Sequence, residues 1–342
     1  MRSFIIKNKK SIFAISNIYI SAVVGAGFAT GQEIMTFFTR YGIKSFVGIT
    51  ISTMLFCVLG AMILRKAAES EADSLGELVA MRFGKIGEKF IEILSLFLQF
   101  SVFVVMVAGL RTILSRALGI SQAVSTLCIV LIIFFIISSK TDRVVKFNSF
   151  VTPIVIVGII TVCTMLIARS GVWVNTEEVA YTGQYQWAVS SILYGSFNCL
   201  LALPVLFSIG RGLSKMKAMT GGVVGGFLIG TMAMLTNILL FKNGFSQLGE
   251  MPIVELTEKY LSYFGSVYQI VIFAAMAGSA VICGRSAVDL LFSQIKRKMF
   301  LKAGSLCILT IPLSMLDFSG LISVLYPFFG AVGILAVIIV IC

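Results

Sequence analysis

The sequence predicts an all-α integral membrane protein. It reads as a single polytopic domain over residues 1–342, with about ten transmembrane helices in two inverted halves. Three observations predict it. Hydrophobic residues fill 58% of 342 positions against 12% charged, and mean hydropathy is +1.02. Soluble domains of this length do not carry so little charge over so many apolar runs of ~20 residues. Lys and Arg gather in alternate loops. The first and sixth apolar segments are both interrupted near their middles.

Candidate spans cover residues 12–38, 45–65, 88–116, 121–138, 148–168, 187–209, 218–241, 266–292, 301–316 and 319–341. A basic N-terminus ahead of an apolar stretch also suits a signal peptide. The apolar character, however, runs on to Phe38, too far for a cleaved segment. The net charge of +12 reports topology rather than a nucleic-acid partner. Most of the 27 basic residues, among them Arg2, Arg65, Lys140, Arg211 and Lys296, fall on one side of the predicted bundle. By the positive-inside rule that side is cytoplasmic, so both termini are expected inside a cell (plasma) membrane.

The first span contains VGAGFATGQE, Val24–Glu33. Glycines at 25, 27 and 31 weaken a helix, and Gln32 and Glu33 bring polarity to bilayer depth. Non-helical backbone survives there only when buried in protein or lining a cavity. Ten spans divide five and five near Gly171, giving halves 1–170 and 171–342. An odd number per half turns the second half over, so the sixth span should mirror the first. It carries Tyr194, Gly195, Ser196, Phe197 and Asn198 and then Pro204, and a break is expected there too. Paired interrupted spans point to a solute site.

Three roles are open to Glu33: a gate ion-pair member with Arg40 or Arg111, a carboxylate for a proton or a substrate amine, or a hydrated vestibule residue. Gln99 lies deep in the third span, on a polar face. In the seventh, Gly222, Gly226 and Gly230 form a small-residue face for close helix contact. The segment Met251–Tyr260 reads as a short helix capping the outer side. In the eighth, the small residues around Ala275, Gly278 and Ser279 allow close approach, and Ser279 adds an oxygen. Arg285 and Asp289, at i and i+4, suit a structural pair or an inner gate.

The chain has no histidine, and its seven cysteines form no CxxC pair. Metalloenzyme and triad chemistry lose their central residues. No metal is expected beyond Na+, and no organic cofactor. No phosphate-binding loop of the pattern G-x-x-x-x-G-K-[ST] occurs, which counts against an ATP-driven pump within this chain.

VGAGFATGQE and the ten-span length resemble the YkvI family of the amino acid–polyamine–cation superfamily, whose fold is LeuT-type. Gly25-Ala26-Gly27-Phe28 is similar to the glycine-rich first-helix break of that superfamily's amino acid transporters. The resemblance implies that the N–H groups of Gly25, Ala26 and Gly27 meet a substrate carboxylate. Phe28, Tyr194, Ser196, Phe197 and Asn198 would line the pocket, with Gln99 opposite. For sodium it implies Ser21 and Val24 with Ala275, Gly278 and Ser279. Gly278 stands where a hydroxyl is typical, so one ligand is missing. The fifth-span lysine of proton-coupled relatives has no counterpart beyond Lys146.

The function so implied is secondary transport of a small zwitterionic or cationic solute, an amino acid or related amine, coupled to Na+ or H+. The alternative is a membrane sensor that keeps the fold without transport. The expected partners are the solute and the lipid bilayer, with no nucleic acid.

Overall fold

A computed structural model describes residues 11–72, 74–138, 141–170, 185–244, 248–292 and 299–341. The basic residues Arg2, Lys140 and Lys296 and the boundary between halves at Gly171 lie outside this set. Every regular element among the described residues is a helix, and every predicted span falls on one or more of them. Among the described residues, six helices are long and apolar enough to cross a bilayer, and four more are shorter and apolar.

The first span is three short helices: α1 (Ile12–Val23), α2 (Ala26–Thr30) and α3 (Gln32–Phe37). A 3-10 turn at Thr39–Tyr41 leads to α4 (Lys44–Glu69). Next, α5 (Leu75–Leu118) bends sharply at Gly84, where φ is 66°. Residues before that bend form a short helix, and those after it the third span. Then come α6 (Gln122–Ile137), α7 (Thr141–Arg169) and α8 (Gln186–Gly210). The chain ends with α9 (Lys215–Lys242), α10 (Pro252–Tyr260), α11 (Ser262–Leu291), α12 (Met299–Ser314) and α13 (Phe318–Ile341).

The break expected in the sixth span is absent. Helix α8 runs continuously past Gly195, Asn198 and Pro204. Its loose residues are held by neighbours: Asn198 Nδ2 donates to the Tyr194 carbonyl at 3.1 Å. Leu55 packs where a Gly195 side chain would be, 2.8 Å from that position, and Gly333 of α13 rides on the Ser196 carbonyl. Pro204 removes a single hydrogen bond, which a helix supported on both sides tolerates.

The small-residue face of α9 does what the spacing predicts. A Cβ at Gly222 or Gly226 would meet α4 backbone, at Ala61 and Cys57, within about 2.5 Å. The two helices therefore meet backbone to backbone, the closest form of membrane helix packing. Tyr19 of α1 fills the adjoining space and donates to the Phe56 carbonyl at 3.1 Å. Large apolar side chains such as Val58, Phe135, Ile270 and Ile308 face outward, the surface a membrane helix gives to lipid tails.

Candidate functional site

The site begins where α1 stops. The Val24 N–H still reaches the Ile20 carbonyl, at 2.7 Å, and Gly25 N–H then turns back to Val23. Gly25 is extended (φ −97°, ψ −166°), and α2 restarts from it with Ala29 N–H on its carbonyl. After five residues the chain breaks again at Gly31, with φ +83°. Only glycine takes that conformation without strain. This second bend puts Glu33 in the first turn of α3 and aims it back along the chain.

Glu33 is 3% exposed. Its carboxylate lies over Gly27, so a Cβ at that position would overlap it. Tyr194 Oη donates to it at 3.1 Å, and the Phe28 backbone N–H donates as well. Among the described residues no basic side chain forms an ion pair with it. Neither expected arginine partner reaches it. Arg40 donates to Tyr41 Oη, and Arg111 to the Leu316 carbonyl.

A cavity of about 270 Å³ opens beside this carboxylate. Its wall includes Ser21 and Gly25, Gln99 of α5, Phe197 of α8, Ser279 of α11 and Tyr326 of α13. Phe197 and Tyr326 stack with centroids 4.1 Å apart. Gln99 Oε1 is buried with no hydrogen-bond partner among the described residues. From the break the cavity runs past Ile18, Val205 and Cys283, toward the end of the bundle where α1 begins and α8 and α11 finish.

The opposite end is closed. Ile253 of α10, the predicted cap, sits 2.9 Å from where a Gly31 Cβ would be. Tyr268 Oη donates to the Ala29 carbonyl at 2.8 Å. Asn237 joins Thr39 and Ser45, and Tyr194 is ringed by Phe37, Phe38 and Phe56. A larger cavity of about 520 Å³ lies between α5 and α13. Its wall is mainly apolar, as at Phe100, Val104 and Leu321; of its polar members Ser101 and Asp317, Asp317 accepts from Ser319 Oγ and the Gly320 N–H.

The predicted residues divide. Gly25, Gln99, Phe197, Ser21, Glu33 and Ser279 meet at the cavity. Phe28, Tyr194, Ser196 and Asn198 are buried behind it, and Gly27 lies under Glu33. Ala26 opens α2, and its side chain lies outside the described residues. Of the sodium set, Val24, Ala275 and Gly278 stay off the cavity wall. Arg285 also stands apart, paired with Asp289 at 3.2 Å and donating to the Ile137 carbonyl of α6. The side chain of Lys146 lies outside the described residues. Tyr326 escaped the sequence reading. Its only signal was a lone tyrosine beside Pro327 in an apolar span. Among the described residues no three His, Cys, Asp or Glu gather as a metal site.

No family model matches the chain. It is 26% identical to the "Uncharacterized membrane protein YkvI" of Bacillus subtilis over 333 residues, 96% of this chain and 94% of the relative. A point mutant of the Eremococcus coleocola manganese transporter shares its fold with TM-score 0.68 and 14% identity, over 98% of this chain and 80% of that one. A Na+-coupled sialic acid symporter shares it with TM-score 0.64 and 12% identity, over 96% and 76%. Both of those solved structures are of transporters. The chain is thus similar to that Bacillus subtilis membrane protein along nearly its whole length, and it shares the LeuT-type fold of the solved transporters.

Proposed function

We propose that this chain is a secondary active transporter of a small amine-bearing solute, zwitterionic or cationic, working by alternating access. One observation carries the reading. A broken first span places a buried carboxyl group beside a cavity whose lining extends toward one end of the bundle, while packed side chains close the other side. That is the geometry of one state of a two-state carrier. With both termini in the cytoplasm, as the basic loops predict, the cavity faces inward.

The transporter neighbours support the reading at the level of fold. Coupling to Na+ or H+ belongs to the same proposal. Ser21 and Ser279 supply hydroxyls on two sides of the cavity, and Glu33 is the group able to carry a proton. The deciding experiment is uptake by purified protein in liposomes, across a panel of amino acids and amines, with an imposed Na+ or H+ gradient. Accumulation that collapses with one gradient identifies the coupling ion. Ligand binding with no flux under either gradient would overturn transport.

A further inference from the structure

A zwitterionic solute would bring its own carboxylate to the N–H groups at the break. In this chain that place is already taken. The Glu33 side chain returns across Gly27 and accepts from the Phe28 N–H and from Tyr194 Oη. A second carboxylate at the same point would crowd the Glu33 carboxyl group, which already engages the Phe28 N–H and Tyr194 Oη. Glu33 still forms part of the cavity wall, and a carboxylate has acceptor capacity beyond two bonds. Gln99 Oε1, in the same wall, is an acceptor with no donor among the described residues. The stacked Phe197 and Tyr326 rings complete the surface. Aromatic rings beside carboxyl and amide oxygen acceptors recognise an ammonium group.

We propose that the solute is a small organic amine cation without a carboxylate. Its ammonium donates to Glu33 and Gln99 beside the Phe197–Tyr326 pair, and Glu33 stands in for the carboxylate that an amino acid would supply. This rests on the transport reading only in calling the ligand a transported solute. Its recognition chemistry is tested by binding alone.

Matched pairs differing only by the carboxylate provide the test: leucine with isoamylamine, phenylalanine with phenethylamine, ornithine with putrescine. Thermal-shift titration of the purified full chain should show at least one amine binding about tenfold or more tightly than its amino acid. Glu33→Gln should weaken that amine by about tenfold or more. Glu33→Ala frees the Phe28 N–H and the space over Gly27, so the preference within the pair should turn toward the amino acid, an inversion that mere loss of packing does not produce. Equal or tighter binding of the amino acid by the unaltered chain would overturn the inference, as would no binding by any member of the three pairs. Amino acid preference with uptake sinks this inference and leaves transport standing. Amine preference without uptake does the reverse.

Discussion

The first and sixth spans both carry glycines and polar residues at bilayer depth, yet only the first is broken. In α8 each weak point is met by a neighbour: Leu55 at Gly195, α13 backbone at Ser196, and the helix's own carbonyl at Asn198. At Gly25 nothing lies within 4 Å of the Cβ position, because the residue faces the cavity. A glycine-rich stretch thus keeps its helix where packing supports it and gives it up where it borders a cavity. The second bend has a firmer cause in the positive φ of Gly31.

The largest expected effect separates two glycines of one motif. Gly27→Ala puts a methyl group into the Glu33 carboxylate and pushes it off the Phe28 N–H. Amine binding should weaken by about tenfold or more, the scale of a lost hydrogen bond to a charged group. Gly25→Ala meets open space at a φ that alanine adopts, and binding should change by less than about threefold. Thermal-shift titration of both variants, with size-exclusion profiles as a folding check, makes the comparison. Equal losses would mean that the break matters as a whole and that the Glu33 contact has no separate part.

Next comes the second bend. Gly31→Ala forces a side chain into the left-handed region, costing about 1–2 kcal/mol, and meets Ile253 Cγ1 at 2.9 Å. The melting temperature should fall, and Ile253→Ala in the same chain should recover only the steric share. Full recovery would locate the effect in the α10 contact rather than the backbone.

Tyr194→Phe tests the link between the two spans. The ring stays among Phe37, Phe38 and Phe56, so packing is kept and only the 3.1 Å hydrogen bond to Glu33 is lost. Unfolding in denaturant should show a loss of about 1–2 kcal/mol. No loss would mean that the Phe28 N–H alone holds the carboxylate.

How much was legible follows from which forces act locally. Apolar run length located the helices, because bilayer thickness sets a length that sequence can be read against. Four-residue glycine spacing marked a face of α9 for close contact, because a helix repeats its face at that interval, but not that α4 would meet it. The first break was legible from its glycines and polar pair. What Glu33 touches was not. Gly31 turns the chain so that its carboxylate lies back over Gly27, and Tyr194 arrives from a helix 161 positions away. Tyr326 was invisible for a similar reason. Its place in the wall depends on α13 lying against α8 through Gly330 and Gly333. The expected break in α8 failed because proline and glycine mark a tendency, while neighbours from α4 and α13 decide the outcome.

The smallest expected effect tests that last point. If packing rather than sequence keeps α8 straight, Pro204 is tolerated and has no part in shaping the site. Pro204→Ala restores an N–H that can reach the Leu200 carbonyl within the helix. The melting temperature should hold or rise slightly, and amine binding should stay within about twofold, a difference below half a kcal/mol. The side chains nearest Pro204 on the cavity wall, Leu201 and Val205, are unchanged by the substitution. The informative case is a variant that binds as before but carries solute more slowly across liposomes. Binding would then report the straight α8 described here, and the lost flux would show that α8 bends at Pro204 in the state open to the other side. The two lead spans would then differ in when they break rather than in whether they do.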